Sequence, residues 1–396
     1  MENRKGFGMN KRKLLLMIAG TSTLIAVIMF IMYGQWKELQ TNEAEQQVAA
    51  EETKEAVEEE VEVTPERTTI TIGMVGDILL HQPMYYYGNF DFAFEAVKDV
   101  MEDVDFLLAN QESMPGGEAL GLSNYPIFNS PKSIIGGLQN NGVDFVTIAN
   151  NHTLDKGEAQ VLHSIQTLKE YDMPYTGAFE SYEDMERLRI VDIDGVQVGV
   201  LAYTYGTNTY KKEHPDGKEY LVTIIDEARI IEDIQKMKKK QADVIVLAMH
   251  WGTEYSNDET EEQRQMAKNL FDAGADIIFG HHPHVLQPSE MIDGKPVFYS
   301  IGNYYSGMPW AGTNIGGIAR VTVTKETRGE ESSISIDESN FFPTAVVKDA
   351  VIPNFNPAFR VVPLESIGSQ LGYTPEWVEN LLGVPSWSLE EKATDK

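Results

Sequence analysis

Five times in this chain a short run rich in Val, Ile and Phe stops at Asp, Glu, Asn or His. ITIGMV is followed by Gly76 and Asp77, VDFLLA by Asn110 and Glu112, and DFVTIA by Asn150, Asn151 and His152. DVIVLAM is followed by His250, and ADIIF by Gly280, His281, His282 and His284. Oxygen and imidazole donors in that mixture suit hard or borderline divalent metals. Each cluster also has an ordinary reading. His250 could be a hydrogen-bonded histidine at a sheet edge, Asp77 a helix cap, Glu112 a solvated loop carboxylate, and Asn150 and Asn151 turn residues with left-handed geometry. The five share one position, however, at the same end of an apolar run. That coincidence predicts a metal site, with two ions, formed where the runs end.

Within the clusters the spacing is informative. His282 and His284, one residue apart after a strand, can both point at one ion from a tight turn. Asp155 follows His152 by three residues, close enough to fix the imidazole tautomer, which makes His152 a proton donor or transition-state hydrogen-bonder. His81, four residues after Asp77, either reaches the site or covers it from a loop. Asn110, Trp251, Glu254 and Asn303 are expected at the rim of a pocket.

The elements that must position these groups follow from the same pattern. Apolar runs of this length, each followed by a turn and a helical spacing, read as buried parallel strands whose carboxyl ends open onto one sheet edge, where ligands of α/β folds bind. Helical spacing is present over 92–104, 131–141, 157–171, 226–240, 260–273 and 375–382. Segments 188–203, 295–304 and 317–336 carry hairpin signals and are expected to form a second sheet packed on the first. Beyond about Phe342 the chain becomes Pro-rich and is expected to wrap the domain irregularly. The expected organisation is a domain over 68–342 and a carboxyl-terminal extension, 343–396, packed on it.

The amino-terminal sequence speaks to location. Arg4, Lys5, Lys11, Arg12 and Lys13 precede residues 14–33, which carry no charge. Such a run at helical rise spans a bilayer core, and the basic flank, 1–13, places the amino terminus in the cytoplasm and the following domain outside. Residues 34–67, rich in Glu and poor in large apolar side chains, read as an acidic linker, a solvated tether or a fraying single helix. Cysteine is absent, and the formal net charge is -29. That charge disfavours nucleic acid as a partner and requires a cation wherever an anionic substrate is held. No GxxxxGK[ST] loop, GxGxxG turn or GxSxG elbow is present, so ATP use, dinucleotide binding and Ser-hydrolase chemistry have no support in the sequence.

The ordered set GD, NxE, NNHxxDxG, MHWGxE, GHHPHVxQ and SxGN resembles the capsule biosynthesis proteins of the CapA/PgsA type, over roughly residues 68–323. That family is in turn similar to calcineurin-like metallophosphoesterases. The resemblance implies an α/β fold, a two-sheet α-β-β-α sandwich, behind an amino-terminal transmembrane helix. It implies metal ligation by Asp77, Glu112, Asn151, His250, His282 and His284, with His152 assisting a leaving group. Two positions depart from the phosphoesterase pattern: Leu79 stands where a histidine ligand is usual, and Glu112 where a bridging aspartate is usual. The implied role is a membrane-anchored extracellular component of poly-γ-glutamate synthesis, alongside an ATP-dependent ligase and a small membrane protein. The alternative is an active metal-dependent hydrolase in the cell wall.

Overall fold

The computed structural model describes residues 11–57, 64–209, 214–329 and 331–387, and divides into two units, Met1–Thr64 and Pro65–Lys396. Among the described residues the first unit holds one helix, Lys11–Val57, in which the apolar run and much of the acidic stretch are continuous. Glu, Gln, Ala and Lys are strong helix formers, which accounts for helix where composition alone also allows a tether. Apolar side chains along it stand in the open, from Ile28 at 47% to Phe30 at 79% exposed. Among the described residues no helix is long and apolar enough to cross a membrane. Residues 1–10 and the side chains of 11–23 lie outside the described residues, and with them the basic segment and the first half of the expected span.

The second unit starts a strand at Glu66, two residues before the expected domain boundary. In chain order, β1 (Glu66–Leu79), β2 (Phe106–Gln111), β3 (Phe145–Thr147) and β4 (Tyr175–Thr176) pair in parallel as half of one sheet. β5 (Ile190–Ile193), β6 (Val196–Thr204), β7 (Val244–His250), β8 (Ile277–His281), β9 (Leu286–Ile292) and β10 (Lys295–Ile301) form a second sheet in the order β5-β6-β7-β8-β10-β9. The chain then returns to the first sheet. β11 (Asn303–Ser306) pairs with β1 in parallel, and β12 (Ile315–Arg328), β13 (Glu331–Ile352) and β14 (Phe355–Pro363) extend it on the other side of β1.

Two expectations are corrected here. The hairpin β12–β13 belongs to the first sheet, and β7 and β8 belong to the second, because periodicity reports which face of a strand is buried and not which strand it joins. The boundary at 342/343 falls inside β13, and the Pro-rich stretch is an ordered outer hairpin. Proline is tolerated there for a structural reason. Pro343 pairs only with Gly317, since β14 begins its pairing at Thr344, and Pro357 lies in the edge strand β14. Of the carboxyl-terminal segment, 388–396 lie outside the described residues.

Alternation along β7 shows how the sheets are covered. Val244, Val246 and Ala248 join a large core that includes Ile70, Ile72 and Met74 of β1, whereas Ile245, Leu247 and Met249 pack with Ile230 and Ile234 of the helix Glu227–Lys239 and with Leu270 and Phe271 of the helix Glu261–Ala273. The second sheet is therefore buried on both faces, between the first sheet and its helices, as a two-sheet sandwich requires. Each such side chain contributes roughly 1.5–3 kcal/mol when buried, which fixes the strand ends and the polar groups they carry.

Candidate metal centre

The polar clusters come together from both sheets. β1, β2 and β3 of the first sheet and β7 and β8 of the second all deliver their carboxyl ends to one place, with Asp77 in register with Asn110 and Asn303, and His250 with His281. Gly76 makes the close approach possible. A Cβ there would lie 2.2 Å from the Gly302 carbonyl oxygen, and without one the Asp77 N–H reaches that carbonyl at 2.9 Å. Gly280 plays the same part on the other side, where a Cβ would meet the Tyr299 carbonyl at 2.0 Å.

Asp77 is fully buried. Its Oδ1 accepts from Asn110 Nδ2 at 2.8 Å and from His281 Nδ1 at 3.0 Å, and its Oδ2 accepts from the His282 N–H at 3.2 Å. His284 Nδ1 lies 3.2 Å from the same Oδ2 and 3.0 Å from Asn303 Oδ1. Two acceptors around Nδ1 put the His284 proton there and leave a lone pair on Nε2. That lone pair faces Glu112 Oε1 at 3.7 Å. Glu112 is itself fully buried, neither of its oxygens accepts a hydrogen bond, and His250 Nε2 is 3.6 Å from Oε1. His250 Nε2 also lies 3.0 Å from Asn151 Oδ1, and the His250 and His282 rings are 4.9 Å apart.

A buried carboxylate without a donor, facing an imidazole lone pair, is the arrangement a cation satisfies. Ligand atoms of Asp77, Glu112 and His250 fall within 4.8 Å of one another, and so do those of Glu254, His282 and His284. The protonation energetics agree. Burial, then the charges of Asp77, Glu254 and Asp155, drive the Glu112 carboxyl well above its ordinary range. Burial also raises Asp77, but hydrogen bonds from His281 and His284 outweigh it and hold that carboxyl well below. Burial and the neighbouring His282 push the His250 imidazolium well down, leaving a neutral ring. Backbone strain marks the same turn: His282 has φ 96° and His284 φ 60°, left-handed values that cost non-glycine residues about 1–3 kcal/mol each.

The histidine–aspartate pair is present too. His152 Nδ1 donates to Asp155 Oδ2 at 2.7 Å, and the same oxygen accepts the Phe128 N–H at 2.8 Å, so the carboxylate is fixed from two sides. His152 borders an open groove of about 830 Å3 that His282, His284, Tyr205 and Glu254 also line. The donor cluster thus has a path to solvent, with an oriented imidazole on its wall.

With this geometry, the sequence comparison is decisive. Residues 71–308 match the family described as bacterial capsule synthesis protein PGA_cap, a span that contains every candidate site residue from Asp77 to Asn303. The chain belongs to that family. The capsule biosynthesis protein CapA of Bacillus anthracis is 30% identical over 259 residues, covering 63% of this chain and 62% of that protein. The PGA biosynthesis protein CapA of Bacillus subtilis is 33% identical over 211 residues, covering 51% and 53% respectively. The chain therefore matches a little over half the length of those relatives. Among solved structures, the calcineurin-like phosphoesterase YfkN of Bacillus subtilis is similar at 18% identity and a TM-score of 0.43, covering 80% of this chain and 96% of that one.

Several residues of the chain sit differently from their expected places. Asn110 is not at the rim but 1% exposed within the cluster, bridging Asp77 and the His250 ring, its Nδ2 lying 3.4 Å from His250 Nδ1. Asn303 is likewise buried and orients His284. Trp251 belongs to the core of the second sheet, where its indole N–H donates to the Tyr299 carbonyl at 3.0 Å. His81 joins neither donor group; its Nδ1 is 3.3 Å from the Leu79 carbonyl and 3.4 Å from Ser306 Oγ, and its ring sits edge-on to Phe128. Glu254 lines the groove as expected, exposed, and also belongs to a donor group with His282 and His284. Sequence reasoning missed the orienting role of His281, although it named the residue. It also missed Tyr205, whose ring lies 4.5 Å from that of His282; its position directly after β6, beside the end of β7, was the available signal.

Proposed function

We propose that this chain is a membrane-anchored extracellular component of poly-γ-glutamate synthesis and export, whose metal centre holds the anionic polymer in the adjoining groove. The observation that carries the reading is the buried Glu112 carboxylate facing the His284 lone pair at the inner end of that groove. On a chain of net charge -29, polymer carboxylates are repelled unless cations intervene. Asp77, Glu112 and His250, with Asn151 beside them, and Glu254, His282 and His284 would hold two divalent ions, of the Mn, Zn, Fe or Mg class. Bound there, such ions supply positive charge for carboxylate or phosphate oxygens and Lewis acidity at the groove floor. The protein's own groups orient those ligands: Asn303 fixes the His284 ring, while Asn110 and His281 fix Asp77. Anchoring is supported by the basic residues before 14–33 and by the exposed apolar side chains around the helix Lys11–Val57, which need a non-aqueous surrounding. An ATP-dependent ligase and a small membrane protein complete the machinery in this reading.

A second reading, metal-dependent hydrolysis of a phosphoester or polymer amide, is favoured by one observation. His152 is held by Asp155 with Nδ1 protonated and borders the groove, the disposition of a general acid. Incubation of the metal-loaded full chain with labelled poly-γ-glutamate and with a phosphoester separates the two. Saturable polymer binding lost on metal removal, without cleavage, is the expected result; cleavage abolished in His152→Ala establishes the hydrolase, and absence of both binding and cleavage refutes the proposal.

A further inference from the structure

A second concavity, of about 620 Å3, lies on the outer side of the second sheet, between the carboxyl-terminal half of the helix Glu227–Lys239 and the strands β5 and β6. Its floor includes Leu188 and Ile190, and its edge carries Arg187, Lys236, Lys239 and Lys240 against one acid, Glu186. In a chain with 61 acidic and 32 basic residues, such a local excess of cations is unusual. The basic residues differ in how they are engaged. Lys236 is committed, lying 3.1 Å from Glu186, 3.0 Å from Glu232 and 3.1 Å from Asp233. Lys239 and Lys240 are exposed, and among the described residues no carboxylate pairs with either. Arg187 makes one long contact, 3.9 Å to Asp184, with its side chain 67% exposed.

Lysines at a helix carboxyl terminus ordinarily compensate the partial negative charge of its last carbonyls. That explains Lys239 and Lys240 in part, but it does not explain Arg187, which converges on the same hollow from a different segment, nor the apolar floor between them. Cations around an apolar-floored hollow suit a chain whose carboxylates alternate with methylene groups. A flat anionic surface would leave the floor unfilled.

We propose that this groove binds a stretch of extended polycarboxylate, Lys239, Lys240 and Arg187 pairing with its carboxylates and Leu188 and Ile190 packing against its methylenes. The proposal rests on the reading that the protein handles such a polymer, and it adds a contact that needs no metal. Gln197 borders this groove near the start of β6, whereas Thr204 at the other end of that strand is in register with His250. At about 3.3 Å per residue the two sites are separated by roughly 20 Å, so a long polymer engages both and a short oligomer only one. Asp192, outside the groove lining, accepts a hydrogen bond from Gln197.

The test is binding of fluorescent poly-γ-glutamate to the purified, metal-loaded full chain at low and at high salt. The variants are Lys239→Glu/Lys240→Glu, the milder Lys239→Gln/Lys240→Gln, and His284→Ala, each checked by its circular dichroism melt. We expect charge reversal to weaken binding about tenfold at low salt, the Gln pair to weaken it less, and the difference to shrink at high salt. In His284→Ala a lysine-dependent, salt-sensitive component persists after chelation. Equal affinity of wild type and Lys239→Glu/Lys240→Glu, with binding lost in His284→Ala, overturns this proposal and leaves the metal-centre reading intact. Lysine-dependent binding of phosphatidylglycerol vesicles that the polymer does not displace also overturns it. Absence of polymer binding in every protein removes both.

Discussion

Replacing Glu112 by Gln tests the metal centre through folding stability as well as through function. The Glu112 side chain is fully buried, neither carboxylate oxygen has a hydrogen-bond donor, and Asp77, Glu254 and Asp155 all oppose its ionisation. Leaving such a group unsatisfied costs about 1–3 kcal/mol, and an amide of the same shape removes the charge. The chelator-treated Glu112→Gln chain is therefore expected to be more stable than the chelated wild type by about 1–3 kcal/mol at neutral pH. At about 2 °C per kcal/mol for a large domain, the melting temperature rises by a few degrees. The sign with pH follows from the raised carboxyl. The folded state holds a proton that the unfolded chain has released, so the penalty is present at high pH and absent below the unfolded value near 4.5. The gap between variant and wild type closes as pH falls to that value. Metal reverses the order: an ion at one hundred times its Kd adds about 2.7 kcal/mol to the wild type, while the variant, short of an oxygen ligand, responds much less. Calorimetry with and without Mn2+ reads all of this. A chelated variant less stable than wild type, with an undiminished response to Mn2+, refutes the reasoning.

Other consequences are more local. His81 is pushed down to about 4, chiefly by burial, against an ordinary value of 6.5. The folded state therefore excludes a proton that the unfolded state takes up, and about 3 kcal/mol of stability present above pH 6.5 is lost as pH falls towards 4. His81→Gln should flatten that acid limb in denaturant titrations of the chelated chain. Trp251→Phe leaves the Tyr299 carbonyl without its indole donor and should lower stability by about 1–3 kcal/mol with metal content unchanged; a changed metal content would return Trp251 to the site. Deleting residues 1–33 should release the protein from membranes to the soluble fraction, and retention of the truncated chain on membranes would contradict the proposed anchor.

The donor clusters were legible because each lies at the end of a strand that is itself a strong periodic signal, and the helices at 158–170, 227–239 and 261–273 announced themselves by spacing. Partner choice was not legible. A run such as ADIIF states that both faces are buried without saying which sheet it joins, so the pattern places 188–203 and 295–304 in the second sheet correctly but misplaces β12–β13 there and leaves out β7 and β8. For the same reason GHHPH shows three histidines but not their faces. His281 ends β8 and turns towards Asp77, while His282 and His284 lie beyond the strand on strained backbone. Asn110 and Asn303 looked like rim residues because asparagine is usually exposed; their burial follows from registers with Asp77 that only the folded sheet defines. Tyr205 comes from a loop whose path periodicity does not describe, whereas Glu254, expected at the pocket rim, lines the groove.

The central claim is that one locus, gathered from the carboxyl ends of β1, β2, β3, β7 and β8, holds divalent cations. An anomalous difference map from crystals of the chain grown with Mn2+ tests it most directly. The account predicts two peaks, one near Asp77, Glu112 and His250 and the other near Glu254, His282 and His284, with both lost in a crystal of the Asp77→Ala/His282→Ala variant. A map without peaks beside Glu112, or with manganese bound only elsewhere on the surface, contradicts it.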